Sequence, residues 1–179
     1  IMELGPSGYP FEAYIGELFK QQGFQVEVGV LLQGRCVQHE VDVVAQKESL
    51  MVVVECKFKN QASYQCDVKV PLYIHSRFQD IEKQWRTLSG NKQKSFEGWI
   101  VTNTKFSLDA IQYGDCIGLH LVSWDYPEEK SLKNWIDRTG LYPLTALTSL
   151  NRVEKQRLLE QNIVLCQTLC EEKTVCQAL

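Results

Sequence analysis

The sequence predicts a mixed α/β fold: an α-β-β-β-α-β core whose central mixed sheet is flanked by helices, with a small C-terminal helical appendage. Three observations predict it. The 179 residues, 44% hydrophobic and 23% charged, suit one globular domain, because a chain of this size buries about 70% of its unfolded surface. An amphipathic stripe near the start precedes three β-like segments. Beyond them, helix-like and apolar strand-like runs alternate, as in a sheet covered by helices.

Phe11, Tyr14, Ile15, Leu18 and Phe19 fall at i, i+3, i+4, i+7 and i+8, one face of a helix. Pro10 suits its first turn, and Gly23 ends it. Strands are expected at 24–32, 37–46 and 50–59. A second helix should start at Val70 or Leu72 and run to Leu88. A buried strand at 98–102, a short helix at 108–113, a strand at 117–124 and a helix at 131–139 follow. From Pro143 the character changes to small polar residues, then to helices at 153–161 and 163–172. A boundary near Gly140 divides residues 1–140, the core, from 141–179, the appendage. Because the chain begins at Ile1, we expect it to be part of a longer protein.

The chemistry lies between His39 and Lys59. Side chains alternate across a strand. On the second strand of this hairpin, Val52, Val54, Cys56 and Phe58 share one face, and Met51, Val53, Glu55, Lys57 and Lys59 the other. On the first, Val37, His39, Val41, Val43 and Ala45 share a face opposite Glu40, Asp42, Val44 and Gln46. A turn at Glu48-Ser49 would pair Val44 with Val53, Asp42 with Glu55 and Glu40 with Lys57. Directly opposed residues have Cβ atoms about 5 Å apart, and like charges there repel. A cation between Asp42 and Glu55 would remove that cost, and hard divalent ions such as Mg²⁺ favour carboxylates with water. Acids and lysines on a solvated hairpin face would read the same way, with Glu40 and Lys57 as a surface pair. Met51 and Val53 argue that the face is covered.

These residues resemble the D…(D/E)xK signature of the PD-(D/E)xK nuclease superfamily: Asp42, then Glu55-Cys56-Lys57. The closest likeness is to the Mrr-like restriction endonucleases, with the Holliday-junction resolvases nearby. Phe11-Glu12 in the first helix and the Gly23-Phe24-Gln25-Val26 step are similar too. The likeness covers about residues 8–60, and less closely 100–124. Val41 stands where the family often has Pro. The resemblance implies a restriction-endonuclease-like fold and Mg²⁺- or Mn²⁺-dependent cleavage of DNA. It makes Asp42 and Glu55 metal ligands, and Lys57 the residue that orients or activates the attacking water. It also implies an N-terminal ATP-cone regulatory domain in the complete protein. A homodimer is a further expectation.

Glu12 borders the apolar stripe, so it can reach the sheet edge as a fourth catalytic and metal-binding carboxylate, or remain solvated. Lys59, Asn60, Lys69 and Arg77, with Tyr73 between the last two, are candidate nucleic-acid contacts or ordinary solvated residues. Thr102-Asn103-Thr104-Lys105 could approach a phosphate or form a turn with a helix cap at Ser107. Cys56 should point into the core. His75 and His120 read as structural.

The net charge of −3 excludes a wholesale basic coating but not a local basic groove. No apolar run approaches the roughly 20 residues of a membrane span, and no secretory leader is visible. Seven cysteines, an odd number with several in apolar runs, predict reduced thiols and a cytoplasmic protein. Cys36 and His39 have CxxH spacing, but no second pair follows, so zinc is not expected. GxxxxGK[ST] and nucleophile-elbow motifs are absent. The leading reading is a metal-dependent endodeoxyribonuclease. The alternatives are a catalytically inactive DNA-binding module of the same fold and a protein-interaction domain.

Overall fold

Pro10 in its first turn, a continuous apolar stripe and Gly23 at φ +83° define the first helix, α1 (Tyr9–Gln21). The computed structural model describes residues 1–5, 7–61 and 63–171. Strands β1 (Gln25–Gln33), β2 (Gln38–Lys47) and β3 (Leu50–Lys57) follow. After a two-residue strand β4 (Gln65–Cys66) come α2 (Lys69–Trp85), β5 (Ser95–Thr102), β6 (Lys105–Phe106), α3 (Leu108–Ile117) and β7 (His120–Val122). Among the described residues there follow α4 (Leu132–Thr139), a 3-10 turn (Leu144–Ala146), α5 (Arg152–Glu160) and α6 (Cys166–Glu171).

The main sheet has the order β1-β2-β3-β5-β7. The first two pairings are antiparallel and the last two parallel, so the sheet is mixed as expected. β4 and β6 form a separate parallel pair that the sequence reading missed. One face of the sheet packs on α1, α4 and the C-terminal helices, and the other on α2 and α3. No helix among the described residues is long and apolar enough to cross a membrane.

The β2–β3 ladder follows the expected register from Lys47–Leu50 through Val44–Val53 to Val43–Val54, where it stops, so the expected cross-strand pairs Asp42–Glu55 and Glu40–Lys57 are not part of it. The turn is Glu48-Ser49, with Glu48 at φ 51°.

The alternation along β2 does not follow the simple pleat. Val43 and Ala45 pack with α1, but Val41 packs with Val44 on the α2 side, and His39 bonds Asp80 of α2. β1 changes sides at the same level. Val26 and Val28 meet the α1 core, whereas Val30 and Leu32 meet the α2 core. Gly29, at φ +66°, and Asp42 lie between the pairs Val28–Val43 and Val30–Val41. A left-handed residue interrupts the pleat, and glycine takes it without steric cost. The expected common face for Val37, His39, Val41, Val43 and Ala45 is therefore corrected: the strand switches cores at Asp42.

Three other boundaries move for local reasons. α3 runs four residues beyond expectation because left-handed Gly118 caps it, donating to Gly114 O, and β7 starts later as a result. Asn151 caps α5 in a reciprocal capping box with Glu154. Ile163, Val164 and Leu165 are not helical. They are buried, and Leu165 bridges to Pro143. The expected extension of the last helix to Glu172 lies outside the described residues, as does Cys176. The six described cysteines are free thiols.

Candidate active site

Glu55 and Lys57 occupy the last turns of the pleat at the C-terminal end of β3, on the α2 side. Alternation sends Cys56 to the opposite face, where it is 8% exposed among the α1-side apolar residues. Asp42 stands where β2 crosses between cores. Its Oδ2 accepts the Cys56 backbone N–H at 2.6 Å, which fixes the acid beside β3 just beyond the last ladder pair. Asp42 and Glu55 are thus brought together at one strand end.

Glu55 is 5% exposed, and both its oxygens are engaged. Lys57 donates to Oε1 at 2.5 Å and Arg77 to Oε2 at 2.8 Å. Lys57 pairs with the acid on its own strand, not with Glu40 across the hairpin. Burial opposes the Lys57 charge most strongly, but the charge and hydrogen bond of Glu55 together with the charge of Asp42 raise the ammonium above its ordinary value. Lys57 is therefore a held cation and not a neutral base near pH 7.

Glu12, half-buried in the first turn of α1, faces the same region from the other side. Burial and the charges of Asp42, Glu40 and Glu55 push its carboxyl up to about 7. Burial and Glu55 push Asp42 up to about 6, against the Cys56 hydrogen bond. The negative charge of these acids is under-compensated. Even so, among the described residues no three His, Cys, Asp or Glu side chains stand close enough together to hold a metal ion. Glu55 is drawn instead onto Lys57 and Arg77.

The remaining expected contacts fall in different places. Lys59 and Asn60 are exposed just past β3. The Lys59 ammonium lies 4.8 Å from the centre of the Tyr64 ring. Lys69 is exposed at the start of α2. Arg77 is turned inward, its side chain 14% exposed, and it also donates to the Glu40 carbonyl and lies over Tyr73. His75 bonds the Tyr113 hydroxyl, and His120 stacks on Trp99, both structural roles as expected.

The sequence points to Thr102 and Asn103 as a phosphate approach or a turn, but not to their role in positioning the backbone, and it does not point to Asp80 at all. The Asn103 side chain accepts from Lys59 N at 2.9 Å and donates to Lys59 O at 2.7 Å, while Thr102 Oγ1 donates to Lys57 O. The polar run closing a buried strand was the available signal. Ser107 caps α3 as that reading allowed. Asp80 of α2 accepts from Cys36 N, Val37 N and His39 Nε2, which pins α2 to the β1–β2 turn. An acid in an amphipathic helix carries no signal of this role.

Residues 5–127 match the Mrr_cat family, described as restriction endonuclease. The chain belongs to the Mrr-type restriction endonuclease family. Residues 142–179 match a second family, described as AF1548-like, C-terminal. An uncharacterized protein of Archaeoglobus fulgidus is 35% identical over 156 residues, spanning 86% of this chain and 82% of that protein. The crystal structure of the protein of unknown function AF1548 superposes with a TM-score of 0.75 at 34% identity, covering 90% of this chain and 82% of that one. A repair endonuclease from Pyrococcus abyssi is more distant, at 16% identity and a TM-score of 0.45, with 65% and 46% covered. In this Mrr-type chain the acids and the lysine of the motif stand at the end of β3, the strand that joins the antiparallel to the parallel half of the sheet.

Proposed function

We propose that the chain is a divalent-metal-dependent endonuclease that hydrolyses phosphodiester bonds of DNA in the cytoplasm. The observation that carries this is the convergence of Asp42, Glu55 and Lys57 at one strand end, with Glu12 facing them from α1. The donor set fits Mg²⁺ or Mn²⁺, because it consists of hard carboxylate oxygens carrying excess negative charge. Asp42 and Glu55 would hold the ion, with Glu12 as a third carboxylate. A bound divalent cation supplies Lewis acidity, polarising the phosphate and offsetting the charge that develops on it. Lys57 keeps its proton and presents N–H groups to the reacting oxygens, stabilising the added negative charge of the transition state. The Cys56 N–H orients Asp42, and Asn103 and Thr102 fix the backbone on which Lys57 and Lys59 ride. Lys59, Asn60 and Lys69 supply phosphate contacts along the exposed approach.

Plasmid nicking in Mg²⁺ and Mn²⁺ tests the reading. The wild-type chain should nick, and Asp42→Asn should not. DNA retained in a gel without cleavage would instead assign an inactive DNA-binding module. The absence of both retention and cleavage would remove nucleic acid from the reading altogether.

A further inference from the structure

Arg77 is the cation at this site whose position the motif does not explain. A phosphate contact would be expected to project into solvent, yet this guanidinium is largely buried. It is held by Glu55 Oε2 at 2.8 Å and by the Glu40 carbonyl. Lys57 occupies the other oxygen of Glu55 at 2.5 Å. Two positive charges therefore surround one carboxylate, and a further cation approaching it meets like charge. The backbone of α2 offers no easy escape. Asp80, three residues on and on the same side of the helix, is tied to the β1–β2 turn through Cys36 N, Val37 N and His39. A long flexible side chain on a fixed backbone can swing away, and Tyr73, against which the guanidinium lies, is 63% exposed beside it.

We propose that Arg77 is an internal counter-ion that competes with a divalent cation for Glu55, and so sets the affinity of the site for metal. The inference rests on the nuclease reading above and gives Arg77 a positioning role in place of a phosphate contact.

Calorimetric titration of the full chain with Mn²⁺ at pH 8, without DNA, tests it. Arg77→Met should bind Mn²⁺ about tenfold more tightly than wild type, since one neighbouring positive charge is gone. Arg77→Lys keeps the charge but loses the paired contacts, and should fall between the two. A merely structural arginine would give weaker or unchanged binding on removal, and either result overturns the proposal. Arg77→Gln replaces the Met variant if that one fails to fold. Should wild type, Arg77→Met and Arg77→Gln all fail to bind Mn²⁺, the nuclease reading falls and takes this one with it. Should wild type and the neutral variants bind Mn²⁺ equally, this inference alone falls.

Discussion

Lys57 and Cys56 are neighbours in sequence but belong to opposite layers, so their replacement should separate catalysis from stability. Lys57→Ala removes a part-exposed head group at the strand end, its side chain 33% exposed. Its melting temperature should fall only modestly, because Arg77 still pairs with the buried Glu55, while plasmid cleavage is lost. Cys56→Ser places a hydroxyl in the α1-side core, and an unpaired buried hydroxyl costs about 1–3 kcal/mol. It should melt lower yet keep its activity per folded molecule. A Lys57→Ala protein that folds and cleaves normally would sink the catalytic assignment. The acids make a separate prediction about pH. Glu12 and Asp42 are raised from ordinary values of 4.5 and 3.8 to about 7 and about 6. The folded state therefore binds more protons than the unfolded one between about pH 4 and 7. The stability these protons confer is complete below that window and lost as pH rises through it. The metal-free melting temperature should thus fall between pH 5 and pH 8, Glu12→Gln should flatten the fall, and millimolar Mg²⁺ at pH 8 should raise it again. A curve that ignores both the substitution and the metal would count against an uncompensated acid cluster.

At the scale of elements, α2 meets the hairpin at two places: Arg77 at Glu55 and Asp80 at the β1–β2 turn. Asp80 is held well down, at about 2, first by its bond to His39, with Cys36 and Val37 adding to it. Its contribution is present above its ordinary value of 3.8 and lost as pH falls toward about 2, the opposite sense to Glu12. Gly34 makes the contact possible, because a Cβ there would collide with the Asp80 carboxylate and lie 2.7 Å from Val37 O. Asp80→Asn should speed amide exchange at Cys36 and Val37 by about tenfold, since bonds to a charged acceptor are the stronger ones. Unchanged exchange would show that the turn holds itself. Much of this architecture was legible. The α1 stripe, the β2–β3 register and the Glu48-Ser49 turn follow from spacing, and Asp42, Glu55 and Lys57 could be named from sequence. The core switch at Asp42 could not, because a two-residue period assumes an unbroken pleat and one glycine at positive φ breaks it. Nor could Asp80 or the inward turn of Arg77, since both depend on which strand lies across from α2.

In the whole molecule, the residues expected to pack on the core as a helical appendage lie in one apolar cluster with the first helix. Leu141, Leu144, Leu158, Leu159, Ile163, Val164, Leu165 and Leu169 join Phe11, Tyr14, Leu18 and Phe19 in one apolar cluster. The Tyr14 hydroxyl donates to Leu141 O at 2.7 Å. A chain ending at Gly140 should therefore aggregate or melt well below the full chain. A soluble, nuclease-active product of proteolysis near Gly140 would show that the residues before it stand alone. The same cluster has a consequence for synthesis. A ribosome adds about 5–20 residues each second, and N-terminal parts usually fold first. Here α1 is made well before the residues beyond 140 that share its apolar cluster. The α2 side of the sheet can close while the chain is still growing. The α1 side keeps an apolar surface open until residues 141–169 emerge, and that interval is when a nascent chain most needs a chaperone.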